Sequence, residues 1–222
     1  MEEKKISEKE SLELISQMIQ QTRKDSAIGS GDIFLVWGYL CTLISLVVYA
    51  MSYIRHEGGW GWLYMAIPVA GFITAGIVAR WLKRKYNTPS TYASSSISKV
   101  WGCLSMVFVI YAIRCFLYWE EPQGWTGMFQ LGLLLPGIGT YCTGVILKEK
   151  WVQWCGVMGA TFGCAFLHDI CCNGVYIELK WPLLMAISMI TSLVIPGHIL
   201  NHKAKKTRLQ ANEANQTMEA NH

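Results

Sequence analysis

From about Asp32 onward the chain is a series of long apolar runs separated by short polar connections. The runs fall at roughly 33–54, 60–82, 98–119, 125–147, 151–171 and 181–201. About 20 residues at ~1.5 Å rise cross a ~30 Å hydrocarbon core, so each run has the length of a transmembrane helix. The connections carry the usual helix punctuation: "RHEGG" (55–59), "EEPQG" (120–124) and "CNGVYIELK" (172–180). The pattern predicts an all-α fold, a polytopic membrane bundle of six transmembrane helices.

Ahead of these runs, "SEKESLELISQMIQQTRKD" (7–25) reads as a separate helix. Ser7 and Glu10 fit a capping box, in which each side chain satisfies a free backbone donor. Acidic residues fill its early turns and Arg23 and Lys24 its last, which suits the helix dipole. Leu12, Ile15, Met18 and Ile19 recur at helical spacing and form one apolar face. Residues 1–31 are thus expected to be an amphipathic helix and glycine linker, and 32–202 the six-span domain. Residues 203–222 are expected to form a basic, then polar, disordered tail.

Composition sharpens the membrane reading. Only 15% of the 222 residues are charged against 52% hydrophobic, whereas soluble domains carry about 25% charged residues. Tryptophans collect at the edges of the runs: Trp60, Trp62, Trp81, Trp101, Trp119, Trp125, Trp151 and Trp181. Indoles favour the headgroup zone, and the placement supports the boundaries. Sixteen of the 19 Lys and Arg residues fall on one side of the predicted topology and only Arg55 and Lys180 on the other. That bias places both termini in the cytoplasm. The net charge of +4 then reflects topology, and nothing calls for nucleic acid.

Two internal patterns recur. Odd runs open on "VWGYL" (36–40), "VWGCL" (100–104) and "QWCGV" (153–157), and even runs hold "IPVAG" (67–71), "LPGIG" (135–139) and "IPGHI" (195–199). They suggest three repeated hairpins, or else local kinks at each proline. Gly159 and Gly163 form a GxxxG with Gly156 extending it, a spacing that lets membrane helices approach closely.

Polar residues at membrane depth give the candidate chemistry. Arg114 lies in the outer part of the third run, and Asp169 is the single acid within any run. An arginine there costs at least ~2.5 kcal/mol unless it finds a partner or water. We therefore expect an Arg114–Asp169 pair, with His168 and Gln130, and Glu120 beside them, lining an outward-facing pocket. It is either a small-ligand or ion site or a structural ion pair. Cys171 and Cys172 are adjacent and lack a second ligand cluster, so no metal or other cofactor is implied. Either is placed to pair with Cys115 on an oxidising side. His198 is expected to be an interface residue.

The stretches "ESLELISQMIQQTR" (10–23), "FLVWGYL" (34–40) and "IPGHILNHK" (195–203) resemble a family of uncharacterised bacterial inner-membrane proteins. The resemblance implies a small polytopic protein without assigned catalytic residues. There is no GxSxG, no HExxH and no Gly-rich phosphate loop. The function expected is therefore non-enzymatic sensing or scaffolding in the bilayer, with the N-terminal helix docking either the bundle's own cytoplasmic surface or a cytoplasmic protein partner or second copy. A small transporter or channel using the outer pocket is the alternative.

Overall fold

A computed structural model of the chain describes residues 30–55, 60–86, 92–118, 122–173 and 180–220, and all regular structure among them is helical. The helices are α1 (Ser30–Arg55), α2 (Ala66–Tyr86), α3 (Tyr92–Leu117), α4 (Pro122–Leu147), α5 (Lys150–Asn173), α6 (Lys180–Met189) and α7 (Ile195–Ala220). A 3-10 turn, Trp60–Met65, leads into α2, and a π-helical turn, Ile190–Val194, joins α6 to α7. The expected N-terminal helix at 7–25 lies outside the described residues.

Four segments are long and apolar enough to cross a bilayer: Gly31–Ile54, Tyr92–Leu117, Thr126–Leu147 and Trp181–Thr207. The second run gives a shorter apolar helix, Trp62–Val78, and the fifth run forms the 24-residue α5. Each of the six runs is thus helical along most of its expected length. A helix satisfies its own backbone polar groups, which lipid cannot do.

The outer surface is apolar, and the hydrophobic core holds small polar side chains within it. Leu43, Val47, Ile54, Ile73, Ile110, Ile113 and Leu117 are exposed, while Ser45, Thr140, Thr143, Ser188 and Ser192 are fully buried. Among the described residues every buried polar side chain is a serine or threonine hydroxyl. Hydroxyls suit this role because they bond backbone carbonyls locally: Ser45 Oγ donates to Cys41 O at 2.8 Å and Thr143 Oγ1 to Gly139 O at 2.8 Å. The bilayer takes the exposed aliphatics, and the bundle keeps its small polar groups inside.

With no hydrophobic drive between helices in lipid, close packing must hold them together. α4 and α5 run antiparallel and touch backbone to backbone. A Cβ on Gly137 would overlap the Ala160 backbone, and one on Gly156 the Tyr141 backbone. A Cβ on Gly144 would stand 2.6 Å from Gln153 N, and one on Gly163 3.0 Å from the Leu134 Cβ. On each helix two of these glycines lie seven residues apart, a spacing that returns to nearly the same face. The predicted GxxxG is therefore split. Gly163 meets α4, whereas Gly159 lies chiefly against the Ser192 side chain of the π-turn, with Gly137 of α4 at 3.5 Å from the position of a Cβ.

α1 packs on α2, α6, the π-turn and α7. The larger core cluster joins Phe34 and Cys41 of α1, Leu133 of α4, and Trp181, Met185, Met189 and Leu193. Trp37 stacks edge-on to Phe72 at 5.5 Å and lies over Gly71, and Trp101 meets Phe34 at 5.3 Å and lies over Gly139. In the first two hairpins the tryptophan of the "VWG" opening therefore sits on the glycine three residues after the paired proline. Trp154, the counterpart in the third, is 64% exposed.

The C-terminal expectation needs correction. Residues 203–220 do not form an irregular tail but continue α7 to Ala220. The segment holds no proline or glycine after Gly197 and is rich in Ala, Lys, Gln and Glu, all good helix formers. A polar composition was read as disorder although its backbone propensity favours helix.

Candidate functional site

Near the end of α3 and the start of α4, the structure brings Arg114 and Gln130 to one helix pair. Arg114 lies near the end of α3, exposed, with its guanidinium 5.7 Å from the centre of the Tyr111 ring. This is cation–π range. Tyr111 in turn lies against Gly127 of α4, whose missing side chain makes room for the phenol. Gln130, half-buried, follows Gly127 by one turn on the same helix. α4 also packs on α5, the helix of His168 and Asp169. The side chains of those two residues, and of Cys171 and Cys172, lie outside the described residues, and so does Glu120. So do Leu12, Ile15, Met18 and Ile19. Cys115, beside Arg114, is buried.

The middle of the bundle holds a feature the sequence did not announce. Pro196 has no N–H, so the carbonyl four residues earlier, that of Ser192, loses its α-helical donor. Around it the helix widens into the π-turn, where Ile195 N–H reaches the Ile190 carbonyl, five residues back. Thr140 Oγ1 of α4 then donates to Ser192 O at 2.6 Å, filling the vacated position from a neighbouring helix. Ser188 Oγ reaches Gly159 O of α5 at 3.4 Å. Ser192 Oγ and, on α1, Thr42 Oγ1 are buried without a hydrogen-bond partner. Three helices thus meet at one deformed turn through hydroxyls and a glycine. The proline was visible in the sequence, but its partner Thr140, 56 residues away, was not.

The third polar region lies where α1, the α4–α5 turn and α7 come together. Asn201 Nδ2 donates to Asp32 Oδ1 at 2.5 Å, and Tyr39 Oη and His198 Nε2 share a hydrogen bond at 2.7 Å. His198 is exposed, so the interface role expected for it coincides with a fixed contact to α1. The α4–α5 connection is only Lys148 and Glu149. Glu149 N–H bonds Gly144 O at 2.8 Å and Lys148 N–H bonds Val145 O at 3.1 Å, while Lys148 takes φ of 56°. This is the Schellman arrangement, whose left-handed position is usually glycine. Gln153 Nε2 adds a second donor to Gly144 O at 3.1 Å. Beneath the turn, Leu147, Val152, Leu200 and Ile97 form a separate apolar cluster, and Glu149 forms an ion pair with Lys203 of α7.

No metal-ligating group of three or more His, Cys, Asp or Glu occurs among the described residues. One surface crevice, about 290 Å³, opens between α4 and α5 and is lined by Gly137, Tyr141, Gly156 and Ala160, among others, all through apolar surface. Comparison with known proteins adds no relative: no protein-family model, no curated protein and no solved structure matches this chain.

Proposed function

We propose that this chain is a six-crossing protein of a bacterial inner membrane, with both termini cytoplasmic. In this reading it is a non-enzymatic sensing or scaffolding component whose N-terminal amphipathic helix docks a cytoplasmic partner. The observation that carries it is how the interior is spent. Among the described residues the buried polar side chains are serines and threonines, and Ser45, Thr140, Thr143 and Ser188 are engaged with backbone carbonyls. The α4–α5 pair is closed by backbone contact. Such a core is a support for something attached to it. α5 and the pair formed by Trp60–Met65 with α2 supply the two crossings beyond the four apolar helices. The excess of Lys and Arg in 1–31, 80–99, 148–150 and 203–208 supports the orientation.

The test uses the full chain with Ile15→Asp and Met18→Asp together, which breaks the apolar face expected for that helix. A protein crosslinked to the native chain in membranes, and rebinding it after purification, is expected to lose this binding in the double variant. Membrane insertion should be unchanged. Equal rebinding by both forms refutes docking through this helix.

A second reading, a small transporter using Arg114, Gln130, His168 and Asp169, draws support from the π-turn. A distorted helix beside the unpartnered hydroxyls of Thr42 and Ser192 is the kind of irregularity found at membrane substrate sites. Solute or proton flux in proteoliposomes, abolished by Asp169→Asn and retained in Ile15→Asp, would favour it over scaffolding.

A further inference from the structure

The base of the bundle carries charge the fold gathers from two distant stretches of sequence. The two-residue turn after α4 presents Lys148, α5 opens on Lys150, and α7 presents Lys203, Lys205 and Lys206, all of them exposed. The Glu149–Lys203 ion pair ties the turn to α7, and packing of Leu147 and Val152 against Leu200 fixes the two beneath it. Glu149, paired with Lys203, is the only carboxylate among residues 148–150 and 203–206, which leaves four lysines without an acid on their own segments.

The patch also stands at the right level. Trp151, directly after Lys150, is 70% exposed, and an exposed indole belongs at the headgroup boundary. On the last helix the exposed positions pass from Ile187, Ile190 and Ile195 through His198 and His202 to Lys205 and Lys206. One continuous face therefore changes from apolar to basic where it leaves the hydrocarbon. Lys148 adds a further sign. It occupies a left-handed backbone position that glycine would fill without strain, and strained residues cluster at functional sites.

We infer that Lys148, Lys150, Lys203, Lys205 and Lys206, with Trp151 beside them, form a docking surface for the headgroup of an anionic phospholipid. The inference rests on the bilayer-crossing reading above. Lysines clustered just beyond a membrane helix attract anionic lipid at the surface. Here the cluster spans two elements locked by an ion pair, so the lipid bridges the α4–α5 hairpin and α7. Its acyl chains lie along the exposed isoleucines of the last helix.

The test is retention of added phosphatidylglycerol against phosphatidylcholine by the purified full chain in detergent, read by native mass spectrometry. The native chain is expected to hold phosphatidylglycerol preferentially. Lys205→Gln with Lys206→Gln should weaken that preference, roughly fivefold for each lysine removed. Lys148→Gln with Lys150→Gln should do the same, and all four together should abolish it. The same four positions changed to Arg should retain it, which separates lost charge from damaged folding. Equal retention of the two lipids by the native chain overturns the proposal, as does an undiminished preference in the fourfold Gln variant. Displacement of the lipid by inorganic phosphate at comparable concentration also overturns it. Reporter fusions to the two chain ends read topology separately, so a failed lipid site and a failed six-crossing reading give different results.

Discussion

At the scale of single residues, the tightest statements concern atoms that are missing. Gly156 has no side chain because the Tyr141 backbone occupies that space, whereas a Cβ on Gly76 would meet nothing within 4 Å. Gly156→Ala is therefore expected to destabilise the detergent-solubilised protein by about 1–3 kcal/mol, the usual cost of overpacking. Gly76→Ala should be neutral or slightly stabilising, since alanine is the better helix former. Thermal unfolding of the two variants side by side checks both. Lys148 makes the opposite case. Its φ of 56° costs a non-glycine residue on the order of 1 kcal/mol, so Lys148→Gly should raise the unfolding midpoint. Sequence reading found the glycines but ranked them by the familiar four-residue spacing. The seven-residue pairs, 137 with 144 and 156 with 163, were present in the same letters and are the ones that bring α4 and α5 together. Arg114 and Gln130 stood out in the sequence as polar residues within apolar runs. What no spacing rule could supply was Tyr111 lying between Arg114 and Gly127, because that depends on how α3 meets α4.

At the scale of elements, the apolar runs named the helices well because length and hydropathy are local properties. The π-turn was not legible, because Pro196 alone permits a kink, a break or a bulge. The choice is made by Thr140 across the helix interface. This gives a coupled prediction. Thr140→Val leaves the Ser192 carbonyl buried without a donor and is expected to cost about 1–3 kcal/mol. Pro196→Ala restores an N–H that can serve the same carbonyl from within the helix. In the Pro196→Ala background Thr140→Val should then cost distinctly less. A double-mutant cycle by unfolding in detergent measures the difference, and strictly additive losses would show that the two residues act independently. The C-terminal extension of α7 teaches a related lesson. Hydropathy marked where the apolar span ends, but the helix ends where propensity does, and the stretch to Ala220 contains no helix breaker.

At the scale of the whole molecule, the exposed aliphatics and buried hydroxyls agree with the composition that first pointed to lipid. The orientation came from counting lysines and arginines, and the fold has since placed two of the counted groups side by side through Glu149 and Lys203. If both ends share the cytoplasm, an alkaline phosphatase fusion should be inactive and a green fluorescent protein fusion bright at either end in bacterial cells. A bright signal at one end and phosphatase activity at the other would contradict an even number of crossings. Trp37 on Gly71 and Trp101 on Gly139 make the same contact, and exposed Trp154 does not.

That turn also sets how the last helix is phased. Five-residue closure accommodates one residue more than the regular spiral, so the stretches on either side of Ile190–Val194 are dialled to different angles about a shared axis. Regular four-residue closure through the same, undiminished stretch would swing everything downstream by about 100°. His198 would turn away from Tyr39, and Lys203 from Glu149. The irregularity is thus the setting that aims the basic end of the chain.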